Sequence, residues 1–121
     1  AAGLRDPEVL DAVRFYREGP HRHSGSTNRL LFTSHAGILG FDAFGLVPAL
    51  LTQPLQVIVG GRRGNTGQFE AGQRLMELAP STEKDLFVIE DAGHYDLYHR
   101  PDAVTRAVDR LVPFYERCLN V

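Results

Sequence analysis

Several absences narrow what this chain can be. Its 121 residues include one cysteine, Cys118, so no internal disulfide can form and a reducing compartment, the cytoplasm, is expected. No apolar run approaches the ~20 residues needed to cross a bilayer, and the opening "AAGLRDPEVL" has no charged-then-apolar leader pattern. No membrane association is expected. Neither sign of charge dominates: 13 Lys+Arg stand against 15 Asp+Glu, a net charge of -2. The basic residues are scattered, which leaves no footprint for nucleic acid. The first residue is not methionine, which fits either processing or a start inside a longer chain. What is present is ordinary globular composition, 43% hydrophobic and 23% charged. A single domain of this size buries roughly two-thirds of the surface its unfolded chain exposes.

The first segment, "DPEVLDAVRFYREG", reads as a helix. Asp6 can cap it, Pro7 suits its first turn, and Val9, Ala12, Val13 and Tyr16 recur at helical spacing. Gly19 and Pro20 end it. "HRHSGSTNR" is small and polar and reads as a loop. "LLFTS" has the composition of a short strand, and "GILGFDAFGLVPALLTQ" has a helical tendency interrupted by glycines and Pro48. Residues 1–53 therefore form a helical and loop segment.

Residues 54–121 carry a sharper pattern. "PLQVIVGG" is a compact apolar run opened by proline and stopped by a glycine pair, and Val57, Ile58 and Val59 favour a strand buried on both faces. "GQFEAGQRLMELA" places Phe69, Gly72, Leu75, Met76 and Ala79 on one side of a helix. "DLFVIED" is a second strand. "PDAVTRAVDRLVPFYERCL" is a helix with an apolar stripe of Val104, Ala107, Val108, Leu111 and Tyr115, which Pro113 is expected to kink or shorten. Strand, helix, strand, helix predicts an α/β architecture with a right-handed βαβ unit and parallel strands. Two strands make too small a sheet to cover on both faces. Either further strands lie unseen in the first half, or another polypeptide supplies them. Sheet-size priors favour the second, with the sheet completed by another chain or by an absent amino-terminal half.

One residue stands out chemically. His94, in "EDAGHYD", follows the second strand on a Gly-His step, and active groups of open α/β sheets gather outside the carboxyl ends of strands. Gly93 is expected to permit a sharp backbone turn there. A histidine so placed can take a proton from a nucleophile and return it to a leaving group near neutral pH; a surface histidine in a tight turn is the plain alternative. The loop "GGRRGNTGQF" offers a rival site, since Gly60, Gly61, Gly64 and Gly67 with Arg62 and Arg63 precede a helix and such loops can bind anions. It matches neither the dinucleotide fingerprint nor the P-loop, so a flexible turn with solvated arginines is expected. His21 and His23 in "HRH" lack the Cys or acidic companions of a metal site. No cofactor and no metal are expected.

The order "PLQVIVGG … DLFVIEDAGHYDLYHRPDAVTRAVDRLVPFYERCL" resembles the carboxyl-terminal part of α/β-hydrolases, closest to the dienelactone-hydrolase-like and esterase-like branch. "GFDAFGLVPALLTQP" also looks like the segment that precedes the penultimate strand in that branch. The resemblance covers about two-thirds of the chain. It implies a partial α/β-hydrolase fold in which His94 is the triad histidine, activating a serine and protonating the departing alcohol or amine. That serine sits on a G-x-S-x-G elbow in the family, and no such motif exists here: Ser24, Ser26, Ser34 and Ser81 lack the flanking glycines. Cys118, near the end of the last helix, reads as a structural thiol, and Ser34-His35 are neighbours that rarely point at each other. The triad acid often occupies the loop after the penultimate strand, where this chain has Asn65 and no Asp or Glu; Glu70 falls on the following helix. Asp91 and Asp96 flank His94 and are expected to fix its loop rather than to act on it.

The expectation is therefore a carboxyl-terminal portion of a serine-type hydrolase of esters, thioesters or amides, whose nucleophile lies outside this chain. Its partners would be the amino-terminal half or a second copy, and a small acyl substrate. The contrasting expectation is a non-catalytic half-hydrolase that self-associates or binds a partner through its sheet edge.

Overall fold

The structure, a computed structural model, describes residue 3 and residues 5–119. Helix α1 (Pro7–Val13) passes directly into a π-helical turn over Arg14–Glu18. Asp6 caps it by accepting from the Val9 N–H at 3.0 Å, and the proline at its start loses no hydrogen bond there. The predicted strand at "LLFTS" is not formed. Leu31 and Phe32 lie in loop, and Ser34 opens α2 (Ser34–Gly40). Phe32 is 88% exposed, so no sheet face is present to reward an extended conformation. Helix α3 is a single turn, Val47–Leu50.

The compact part begins at β1 (Leu55–Gly60), followed by α4 (Gln68–Leu78), β2 (Lys84–Ile89), the short α5 (Asp96–His99) and α6 (Pro101–Leu119). The two strands pair in parallel, from Leu55 opposite Lys84 to Gly60 opposite Ile89. Successive side chains alternate between faces, and the helices divide accordingly. On one face Gly72 of α4 lies against Val59, Val57 and Leu86. On the other, Ala103 of α6 packs with Ile89 and Ala92, flanked by Ile58, Phe87, Leu97 and Ala107. This is the helix–sheet–helix layering that parallel strands require. Ile89 is the large side chain sealed completely within it, stabilising the fold by about 2 kcal/mol.

Gly72 is where α4 comes closest to the sheet. A Cβ there would stand 2.7 Å from a Val59 methyl, so only glycine permits this approach. Helix α6 runs through Pro113 to Leu119 instead of ending there. The proline removes one N–H, while Arg110 on Asp85 at 2.8 Å and Arg117 on Glu83 at 2.7 Å hold the helix on either side of it. Pairs this exposed are screened by solvent and add little.

The parallel α/β arrangement thus stands as expected, with two strands in an open sheet among the described residues. Burial of β1 on both faces does not. Val57 and Ile58 are half-buried, because a strand with one neighbour keeps an uncovered flank. No helix of the described residues is long and apolar enough to cross a membrane.

Candidate functional site

The turn after β2 is built by backbone hydrogen bonds. The Ala92 N–H donates to the Ile89 carbonyl at 3.0 Å, and the Ala92 carbonyl accepts from the Arg62 N–H at 3.0 Å. The β2 turn is thereby locked to the loop that follows β1. Gly60 makes this possible, since its own Cβ would meet the Ala92 carbonyl oxygen at 2.6 Å and the Gly93 carbonyl carbon at 2.8 Å. Gly93 is not in the left-handed region, contrary to the expected reason for its presence; among the described glycines only Gly3 and Gly67 have positive φ. Its neighbour is instead a side chain. A Gly93 Cβ would lie 2.7 Å from the Arg62 guanidinium.

His94 is half-buried at the carboxyl end of β2. Its Nε2 lies 2.7 Å from the Tyr98 hydroxyl, one helical turn on. Its ring meets those of Tyr95 and Tyr98 edge-on, with centroids 5.1 Å and 5.0 Å away. Asp96 fixes the turn as expected: its Oδ2 accepts from the Gly93 N–H at 2.8 Å, from Arg62 at 2.8 Å and from Arg100 at 3.3 Å. Asp91 shares Arg100 with Asp96, bound by that arginine at 2.8 Å and by Arg106 at 2.6 Å, and the Arg106 hydrogen bond holds its carboxyl below the usual range. Neither carboxylate touches the imidazole among the contacts of the described residues.

Beside His94 runs a groove of about 280 Å³. Four consecutive residues of β1, Val57 to Gly60, line it, with Phe44, Leu75 and the α4 backbone at Gly72 on its sides and Glu8 and His94 also on its wall. Alternate side chains of a strand point to opposite faces, so a groove touching all four follows the unpaired edge of β1.

The loop after β1 contains no acid, yet three acids reach it from α1 and its cap. The Asn65 N–H donates to Asp6 at 2.7 Å. The Thr66 N–H donates to Glu8 at 2.9 Å, and the Thr66 hydroxyl donates to the same oxygen, Oε2. Arg62 reaches Asp11 at 3.3 Å. The loop therefore has little to offer an anion: these amides and Arg62 are already occupied by carboxylates, and the Arg63 guanidinium stacks 3.8 Å over the Phe69 ring. Glu70 sits on α4, 4.0 Å from Arg63.

An aromatic cluster packs this N-terminal helix against the histidine turn. Phe15 meets Tyr95 at 5.9 Å, Tyr98 at 5.6 Å and His99 at 5.4 Å between centroids, and His21 stacks on Phe15 at 5.2 Å. Burial pushes the Tyr95 phenol up, helped by Tyr16, Tyr98 and the carboxylates Glu8 and Asp11.

The serines lie elsewhere. The Ser81 hydroxyl donates to the Glu83 carbonyl at 2.9 Å, near the amino end of β2 and so away from His94. Ser24 and Ser26 line a separate surface cavity with His23, and Ser34 begins α2. His35 lies beside Phe32, with centroids 5.9 Å apart. Cys118 is half-buried near the end of α6. No serine or cysteine of the described residues is hydrogen-bonded to His94. His23 accepts from the Gly25 N–H at 3.0 Å, and no three His, Cys, Asp or Glu among the described residues are grouped to hold a metal. Tyr98 was open to sequence reasoning, since a tyrosine four residues after His94 on a helical turn lies beside it. Glu8 was not, because 58 residues separate it from Thr66.

No protein-family profile matches the chain. It is 33% identical over 112 residues to the uncharacterized protein YcjY of Escherichia coli (strain K12). The match takes in 93% of this chain and 36% of that protein, so the chain spans little more than a third of the length of this curated relative.

Proposed function

We propose that this chain is the histidine-bearing portion of a serine-type α/β-hydrolase acting on an ester, thioester or amide of a small organic acid. His94 is the general base, and the nucleophile and oxyanion hole belong to residues outside the chain. The observation that carries the reading is the half-buried His94 beside the groove along the open edge of β1. A further parallel strand in that groove would extend the sheet and bring the adjoining turn, with its nucleophile, to the carboxyl ends of the strands, where His94 lies. The longer relative is consistent with such a strand existing, since nearly two-thirds of its length lies outside the match.

In this reading the imidazole takes the serine proton as the hydroxyl attacks the acyl carbon, then delivers it to the departing oxygen, sulfur or nitrogen. Tyr98 occupies Nε2 in the present structure, at the distance a serine hydroxyl would need. It keeps the ring oriented until the nucleophile replaces it. The test is a fluorophosphonate probe with intact-mass analysis of the natively purified protein, together with ester turnover. Labelling of a serine outside this segment, and turnover lost in His94→Ala while the fold persists, is the expected result. Turnover retained by His94→Ala removes the histidine from the mechanism.

A second reading has its own observation. Leu31, Phe32, Leu39 and Phe41 are 74%, 88%, 85% and 75% exposed, more apolar surface than an isolated soluble domain usually shows. A non-catalytic module that pairs with a second copy would bury it. A symmetrical dimer of this chain alone, inert toward the probe, would favour that reading.

A further inference from the structure

The proposed hydrolase chemistry needs a carboxylate for His94, and the position the family resemblance indicates for one holds Asn65. We propose that Glu8, from the N-terminal helix, is the positioning residue for His94, with its free carboxylate oxygen accepting the proton on the imidazole Nδ1. This assignment rests on the reading of His94 as the general base.

Four observations support it. Glu8 is 5% exposed, and carboxylates are seldom so buried without a partner; yet no Lys, Arg or His of the described residues pairs with it. Both Thr66 hydrogen bonds fall on Oε2, which leaves Oε1 unengaged. No sealed, unpartnered polar side-chain atom exists among the described residues, so Oε1 opens onto space, and the groove that Glu8 lines is the one that His94 lines. Finally, the imidazole has a complementary vacancy. If Tyr98 donates to Nε2, the ring proton sits on Nδ1, and Nδ1 has no hydrogen-bond partner among the described residues. An unused acceptor and an unused donor therefore share one groove. No hydrogen bond joins them in this structure, so the pairing requires the side chains to move within the groove they both line.

Glu8 also has a structural role, holding the loop after β1 through Thr66, and the test must separate the two roles. In Glu8→Gln the Thr66 N–H still demands an oxygen. The carboxamide oxygen therefore stays on Thr66, and the amide NH₂ takes the place of Oε1. The loop remains held, while a donor now faces Nδ1 where an acceptor stood. The expected result is inversion of the His94 tautomer from Nδ1–H to Nε2–H, read by ¹⁵N shifts of the complete protein labelled in histidine at about pH 8.5, above the ordinary histidine range. His94→Ala assigns the signal. Thr66→Val keeps both the charge and the backbone anchor while removing the hydroxyl link to Glu8, and is expected to leave the tautomer as it was; a purely structural role predicts the reverse, no change in Glu8→Gln, where the loop stays held, and a disturbed His94 in Thr66→Val.

Ester turnover by the complete protein is expected to fall at least a hundredfold in Glu8→Gln, since a histidine held in the wrong tautomer cannot accept the nucleophile's proton. An unchanged tautomer in Glu8→Gln overturns the assignment, whatever the turnover. A protein inert to esters whose tautomer nevertheless inverts leaves Glu8 as the partner of His94 and removes the hydrolase reading instead.

Discussion

Replacing Gly60 by alanine tests whether the histidine turn is placed by backbone packing. The added Cβ would stand 2.6 Å from the Ala92 carbonyl oxygen and 2.8 Å and 3.0 Å from the Gly93 carbonyl carbon and oxygen. These are main-chain atoms, and the Ala92 carbonyl is also bound to the Arg62 N–H. Relief requires the two loops to separate by several tenths of an ångström, and overpacking of this kind costs about 1–3 kcal/mol. The matched control is Gly93→Ala. There the new Cβ would meet the Arg62 guanidinium at 2.7 Å, the far end of a flexible, half-exposed side chain that can swing away. Its main loss is an ion pair to Asp96, about 1 kcal/mol or less.

Urea titration of both variants measures the difference, and thermal melting repeats it at about 4 °C per kcal/mol. Gly60→Ala is expected to be the less stable of the two and to disturb the Tyr98 contact of His94. The reasoning is refuted if Gly93→Ala proves as destabilising as Gly60→Ala, since flexible and fixed neighbours would then cost the same.

Two further outcomes are expected. Phe15→Ala removes the ring that joins α1 to Tyr95, Tyr98 and His99. It should cost about 1–3 kcal/mol, less than for a wholly buried phenylalanine, and raise hydrogen exchange in α1 well before α4 or α6; uniform loss of protection would contradict the anchoring role. Asp85, held below the usual carboxylate range first by its Arg110 hydrogen bond and then by Gln56, stabilises the fold above its unfolded value of about 3.9. That contribution is lost as pH falls through the lower folded value. Asp85→Asn should therefore be slightly less stable than the parent at pH 7, by under about 1 kcal/mol for so exposed a pair, and the gap should close in acid. A gap that widens in acid would reverse the sign of the argument.

Much of the compact part was legible from residues 54–121. The apolar runs at Val57–Val59 and Leu86–Ile89 are short, rich in β-branched and aromatic side chains and bounded by turn residues, and an eleven-residue amphipathic helix, α4, lies between them. Local periodicity suffices for such elements because each strand and helix face is written in consecutive residues. Residues 28–41 were less legible. Their apolar side chains remain in solvent, and with no surface to pack on, composition alone did not distinguish strand from helix there.

By itself the sequence determined a parallel pair of strands flanked by helices and a histidine at the carboxyl end of the second. Those features follow from hydrophobic spacing and from the chain order of strand and turn. Beyond the neighbouring Tyr98, tertiary structure alone decided what surrounds that histidine. Glu8, Thr66, Phe15 and Tyr95 come together only because α1 folds back across the carboxyl ends of the strands. Contacts separated by fifty or more residues leave no local periodicity, since a carboxylate's partner is set by where the backbone carries it and not by its neighbours in sequence.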